Sequence, residues 1–222
     1  LICSAHVAGY SDFAEVGICM HAESSDTYCF FTRGTKVRKC HTSRRDAFKS
    51  VNSRLLGKIE DGEMKILRND YVKRDRNRKP ILKPNFEERV ALLKFYPGLS
   101  PALIRWFVDK SFLGIVFEGT GLGHVAEYLF PEIKNAVEHG LLIAMTSQCV
   151  WGRINMNVYA TGMDLQEIGV IPLGDMSAET ALIKMMWALG QTKDIGEAKK
   201  LMLTNITGEI DDRSLFEASL RT

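Results

Sequence analysis

Two stretches of this 222-residue chain hold side chains whose types and spacing could do chemistry. The first, Arg33-Gly34-Thr35-Lys36-Val37-Arg38-Lys39-Cys40-His41-Thr42-Ser43-Arg44-Arg45, crowds Lys36, Arg38 and Lys39 together. Like charges this close lower one another's proton affinity, and an amine neutral at working pH can deprotonate a hydroxyl nucleophile. A solvated basic loop is the commoner meaning of such a run, and spacing alone leaves both open. The second stretch is the turn Glu118-Gly119-Thr120-Gly121-Leu122-Gly123-His124, set between a strand-like and a helix-like run. In an open α/β sheet, strand carboxyl ends and helix N-termini converge there on one crevice. His124 stands where the third glycine of a dinucleotide fingerprint belongs, and Thr120 where a phosphate loop needs Lys, so a nucleotide site is disfavoured. A turn that meets a carboxylate ligand or a neighbouring subunit stays open, beside one that only reverses the chain.

Other chemistries find no support. There is no GxSxG, HExxH or EF-hand pattern. Cys3, Cys19, Cys29, Cys40 and Cys149 form no CxxC pair, which speaks against a disulfide scaffold or zinc ribbon. Cys40-His41 with Cys29 and His21 could supply metal ligands. Reduced thiols packed in a cytosolic core are the plainer reading, and no metal is expected. The net charge of +2 hides an asymmetry: residues 32–79 carry 16 Lys or Arg against 6 Asp or Glu, a footprint for phosphate, nucleic acid or an acidic partner. A solvated basic surface without a partner would look the same. No apolar run reaches the length of a membrane helix, and Leu1-Ile2-Cys3-Ser4-Ala5-His6 has neither a basic n-region nor a cleavage site. The expectation is a cytoplasmic protein, and the absence of an initiator Met suggests a piece of a longer polypeptide.

The elements that must position these stretches divide at Lys73-Arg74-Asp75-Arg76-Asn77-Arg78-Lys79-Pro80, which has no apolar face and reads as a linker. Before it, Val16–Met20 and Thr27–Phe31 read as buried strands joined by Glu23-Ser24-Ser25-Asp26. Leu56–Ile59 and Met64–Leu67 come next, around Glu60-Asp61-Gly62. After the linker, helices and strands alternate. Ser100-Pro101 opens a helix with Leu103, Ile104, Phe107 and Val108 on one face. Phe112–Phe117 and Leu141–Met145 are apolar strands. Val125, Leu129, Ile133 and Val137, spaced by four, predict a helix between them that stops at Gly140. Ser177 opens an apolar helix through Met185, Met186 and Leu189 to Gly190, and Asp194 with Glu197 starts the last. Alternation of this kind implies an α/β fold with a parallel sheet flanked by helices.

These stretches, with Met145-Thr146-Ser147-Gln148 and Gly152-Arg153-Ile154-Asn155-Met156-Asn157-Val158-Tyr159, carry a resemblance. The chain resembles the D-type subunits of archaeal glutamyl-tRNA(Gln) amidotransferases, relatives of the L-asparaginases. The resemblance runs from the first strand to the Arg213-Ser214 tail. It implies the end of a larger asparaginase-like N-terminal domain over residues 1–84 and a complete smaller α/β domain over 85–222. It also implies hydrolysis of a glutamine or asparagine amide to ammonia by a threonine nucleophile, aided by a second threonine, an aspartate and a lysine.

Lys39 matches that lysine, as a member of a proton relay lining a cleft. Both threonines and the aspartate belong to segments that would precede Leu1, so the 222 residues alone are expected to be inactive. Thr120, Gly121 and His124 match a turn that reaches a neighbouring subunit's site, although relatives use an Asn that this turn lacks. Arg44 and Arg45 are candidate contacts to tRNA or a partner. The implied partners are a second copy of the chain, the E-type subunit of the amidotransferase and, through it, tRNA(Gln). ATP and magnesium would belong to the E-type subunit, with no cofactor here. The resemblance leaves two other readings: an L-asparaginase acting on free asparagine, or a docking and dimerising module without catalysis.

Overall fold

The structure, a computed structural model, describes residues 1–213. The chain forms two units, residues 1–81 with Arg213, and residues 82–212. Ser214, where the resemblance ends, lies outside the described residues.

In the first unit, α1 (Ile2–Tyr10) precedes β1 (Gly17–His21) and β2 (Tyr28–Arg33). A single 3-10 turn, Gly34–Lys36, leads into the short pair β3 (Val37–Lys39) and β4 (Phe48–Ser50). The pair β5 (Gly57–Glu60) and β6 (Glu63–Ile66) completes the unit. The main sheet runs β1-β2-β5-β6 and is antiparallel throughout. Antiparallel neighbours are the pairing that short turns between consecutive strands allow. Asp61 and Gly62 both take positive φ, the two-residue loop whose twist suits a hairpin. Val7, Phe13, Phe31, Leu56 and Ile59 make the core. A buried ion pair closes the unit. Arg33 donates to both carboxylate oxygens of Glu15 at 2.9 and 3.1 Å and to the Asp70 carbonyl, while Glu15 also accepts the Val72 amide.

The second unit alternates as β7 (Val90–Lys94), α2 (Pro101–Asp109), β8 (Gly114–Gly119), α3 (Phe130–Glu138), β9 (Leu142–Ser147), α4 (Ala160–Ile168) and β10 (Ile171–Pro172). Two further helices complete it, α5 (Ala178–Gln191) and α6 (Ile195–Leu203). All four strands are parallel, in the order β7-β8-β9-β10. Along β8, Ile115 and Phe117 join one core with α2, α3 and α4, while Val116 joins another with α5 and α6. β9 divides in the same way, Ile143 and Met145 against Leu142 and Ala144. Met185 fills the second core, as its place on an apolar helix implies.

Three expectations about helix ends need correction. Ser100 does precede α2, but its side chain makes no capping bond; Pro101 supplies the start by its fixed φ. The helix expected to include Val125 begins only at Phe130, where Pro131 sits in the first turn, after a 3-10 turn over Glu127–Leu129. Val125 is still buried, outside any helix. Gly190 lies inside α5 and does not end it: a Cβ there would come within 2.4 Å of the Asn85 carbonyl, so the glycine serves close packing. Ser177 and Asp194 cap as their types suggest, accepting the amides of Thr180 and Glu197.

One polar contact inside this unit has no apolar pattern to announce it. Lys184 of α5 meets Glu209 at 2.6 Å, with side-chain exposures of 7% and 2%. Lys184 also donates to the Thr204 carbonyl, and Glu209 accepts the amides of Ile206 and Thr207 and the Thr207 hydroxyl. Burial draws Lys184 below its ordinary value. Burial alone would raise Glu209, but the Lys184 hydrogen bond and then the backbone amides outweigh it and hold the carboxyl at about 2. The two directions pull against each other, and the ring of donors around Glu209 decides for the ionised pair. The pair's contribution is therefore complete above the ordinary glutamate value of 4.5 and is lost as pH falls from there towards about 2. Glu209→Gln, which leaves Lys184 buried without its counter-charge, should cost about 3 kcal/mol in urea unfolding at pH 7. It should also flatten the acid limb of stability against pH.

Candidate functional site

In the first unit, the 3-10 turn after β2 rotates the chain so that the basic residues part company. Lys36 turns inward and is 2% exposed. Lys39 ends β3 opposite Phe48 of β4, and its side chain is exposed, with Nζ 6.0 Å from the Phe48 ring centroid. Arg38 lies opposite Lys49. The close group read from the sequence is thus divided between the interior and an outward-facing hairpin. Lys39 is exposed.

Arg44 and Arg45 are both engaged. Arg44 clasps both carboxylate oxygens of Asp46 at 2.8 Å, and Lys49 adds a third bond at 3.2 Å. The Arg44 hydrogen bond, then that of Lys49, holds Asp46 below the usual carboxylate range. Arg45 donates to Asp26 at 2.6 Å, which lowers Asp26 in the same way. Neutralised within their own unit, these guanidinium groups offer a phosphate less than their number suggests.

In the second unit, the turn after β8 is a narrow reversal in which the Thr120 amide donates to the His124 carbonyl at 2.8 Å. The amides of Gly123 and His124 return to the Thr120 carbonyl. Gly119 allows it: a Cβ would lie 2.7 Å from Met145 Sδ and 2.9 Å from the His124 backbone. The Thr120 hydroxyl bonds within the turn, to the His124 carbonyl. The Gly121 carbonyl accepts the Ser147 hydroxyl at 2.8 Å, which in turn accepts the Cys149 amide. Gln148 ties three strand ends together, its backbone amide on Gly119 and its side chain on the carbonyls of Phe95 and Glu118.

His124 is the member that faces other chemistry. Its Nδ1 lies 3.2 Å from the Thr161 hydroxyl at the start of α4, and its ring meets Tyr159 edge-on at 5.4 Å. Nε2 is shielded from solvent with no partner among the described residues. Of the three turn residues singled out from the sequence, Thr120 and Gly121 hold the turn's shape and His124 presents a ring. Ser147, Gln148, Tyr159 and Thr161 were missed as site residues. Their signal was positional, since each lies at or just after a strand's carboxyl end or opens a helix beside one.

Among the described residues, no three His, Cys, Asp or Glu side chains converge as a metal site, and no helix is long and apolar enough to cross a membrane. The cysteines are free. Cys29 is buried, and burial first, with Cys3 and Cys19 close by, pushes its thiol up to about 12. Cys40 and Cys149 are exposed, so packing in a core describes only part of the set.

The family model for the N-terminal part of asparaginases matches residues 1–71. The model for the glutaminase/asparaginase C-terminal domain matches residues 89–202. The chain belongs to the glutaminase/asparaginase family. Among its relatives are proteins named as the D-type subunit of glutamyl-tRNA(Gln) amidotransferase. The one from Pyrococcus furiosus is 56% identical over 95% of this chain and 48% of its own. The one from Metallosphaera sedula is 52% identical over 96% and 48%. The chain thus spans about half the length of these relatives. Solved members of the family share the fold. The thermostable L-asparaginase from Thermococcus kodakarensis has a TM-score of 0.76 at 33% identity, covering 83% of this chain and 56% of the other. L-asparaginase I from Vibrio cholerae has a TM-score of 0.80 at 27%, covering 94% and 61%.

In this glutaminase/asparaginase chain the turn is built to close tolerance. Gly119→Ala should cost about 2 kcal/mol in equilibrium unfolding, because the methyl meets backbone that cannot retreat. Ser147→Ala should cost about 1 kcal/mol and raise amide exchange at Cys149, whose acceptor is removed.

Proposed function

We propose that this chain is part of the glutaminase subunit of a tRNA-dependent amidotransferase. The identity of 56% and 52% to relatives named as the D-type subunit, against 33% and 27% to the solved L-asparaginases, carries the reading. In the complete protein a threonine hydroxyl attacks the glutamine amide carbon, and ammonia leaves once its nitrogen is protonated. The nucleophile, a second threonine and an aspartate come from other segments of the whole protein. Lys39 is the relay lysine. Outward on a short hairpin and bound to no carboxylate among the described residues, it is available to meet those groups. It serves as a proton acceptor once a closed site strips its amine of water. The Thr120–His124 turn supports a neighbouring copy's site. The E-type subunit takes the ammonia, with ATP and magnesium, to convert Glu-tRNA(Gln) to Gln-tRNA(Gln). No cofactor is assigned to this chain.

The likeness to solved L-asparaginases supports a second reading, hydrolysis of free asparagine by the same groups. Ammonia release by the full-length protein, measured with and without the E-type subunit, separates the two. Dependence on glutamine and on tRNA supports the first; equal turnover of free asparagine by the protein alone supports the second.

The role of Lys39 has its own test. Lys39→Arg keeps the charge and, on an exposed side chain, the stability, but a guanidinium does not give up its proton. Ammonia release should fall by about a thousandfold in both Lys39→Arg and Lys39→Met. Retention of the rate in either variant would remove Lys39 from the relay. The 222 residues alone should release no ammonia from glutamine.

A further inference from the structure

The stretch read from sequence as a linker is in part a folded strap. The Ala14 amide donates to the Val72 carbonyl at 2.7 Å, Lys73 bridges Phe13, and the Arg74 amide donates to the Asp12 carbonyl at 2.6 Å. The Arg74 guanidinium reaches the Ala8 carbonyl at the end of α1. Beyond it, the Asp75 side chain accepts the Asn77 amide and its carbonyl accepts the Arg78 amide, so the chain turns. Arg78 then reaches back to the Lys73 carbonyl. The strap is laid along the first unit.

Its cations have no carboxylates. Lys73, Arg74, Arg76, Arg78 and Lys79 are all exposed, and among the described residues none lies within ion-pair distance of an acid. In the same unit Arg33, Arg44, Arg45 and Arg68 each hold one. The positive charge that faces a partner is therefore concentrated at 73–79, read from sequence as a linker, and the Arg44–Arg45 pair, expected from sequence to make such a contact, is the quenched part of the basic block. Lys73 and Arg74 stand on backbone bonded to residues 12 and 13, and the Asp75 turn with the Arg78–Lys73 bond shapes the chain as far as Arg78, so part of the conformational freedom is lost before binding and a ligand has less to order. Alternating with Asp75 and Asn77 and presenting no helical apolar face, they suit a row of phosphates better than a lipid surface.

We infer that the strap of residues 73–79 is an RNA-docking surface that binds the phosphodiester backbone without reading sequence. The choice of RNA among polyanions rests on the function proposed above. The test is fluorescence anisotropy of the full-length protein with a labelled tRNA transcript, across a salt series. Arg76→Glu with Lys79→Glu changes two side chains that make no hydrogen bond within the described strap, so the fold is spared. Affinity at low salt should fall by about tenfold or more, and the slope of log affinity against log salt should shrink by about two. Lys110→Glu with Lys199→Glu, the same charge change on exposed sites of the second unit, should leave affinity within about twofold.

Equal losses in the two double variants, or none in the first, would overturn the assignment. Binding of the wild type to phosphatidylserine vesicles but not to the transcript would overturn RNA as the partner. Glutamine hydrolysis by the wild type, measured in parallel, keeps the two proposals apart. Hydrolysis without RNA binding sinks the strap alone, and RNA binding without hydrolysis sinks the glutaminase reading alone.

Discussion

The handedness of strand crossovers governs the second unit. From β7 to β10 each connection steps one strand in the same direction, and right-handed crossovers then place α2, α3 and α4 on a single face. The other face would stand bare, with Val90, Val116, Leu142 and Ala144 open to water. The chain beyond β10 must cover it, and α5 and α6 do so with Ala181, Met185, Ala188, Ala198 and Met202. Such a cover needs an anchor past its last helix. The Lys184–Glu209 pair supplies it, binding the segment after α6 back to α5. Because the order never reverses, this sheet has no switch point inside it. The crevice at the carboxyl ends of its strands is instead shaped by two connections, the Gly119–His124 turn after β8 and the Ser147-Gln148-Cys149 corner after β9.

That turn shows why glycine, serine and glutamine recur where catalytic types were sought. Backbone has to pass within contact distance of Met145 Sδ at Gly119, and carbonyls left over from the reversal need donors. Ser147 and Gln148 donate to them. Thr120 and Gly121, chosen from sequence as candidates for contact with a ligand or a neighbour, are occupied in holding the shape. His124 is different, because its ring leaves the turn and meets α4 through Thr161 and Tyr159.

Legibility tracked burial. Runs such as Gly114–Phe117 and Leu142–Met145 were readable because both faces of the parallel sheet are covered, so every position is apolar. α1 and α4 were not, since α1 buries only Val7 and α4 only Gly162 and Leu165, too few for a periodic signal. β3 and β4, three residues each and rich in Lys and Arg, look like loop. The site suffered from the same blindness in a sharper form. Lys36, Arg38 and Lys39 are one cluster along the chain, but a single 3-10 turn sends the first inward and leaves the third outside. Residue type cannot distinguish them; the local rise and rotation of the backbone does.

Charge obeys a related rule. A count of Lys and Arg over residues 32–79 treats every cation as equal, whereas the fold uses some of them for its own closure. Arg33 pairs with the buried Glu15 and bonds the Asp70 carbonyl while Glu15 takes the Val72 amide, Arg44 holds the buried Asp46, and Arg45 and Arg68 neutralise acids at the surface. The largest group of exposed cations without a carboxylate falls on a segment too polar to join a core, tied to the unit by backbone bonds to residues 12–14 and by the Arg74 guanidinium on the Ala8 carbonyl. Among the described residues the side chains of Lys73, Arg76 and Lys79 then make no hydrogen bond or ion pair, and that is the physical condition for a surface charge to act on another molecule.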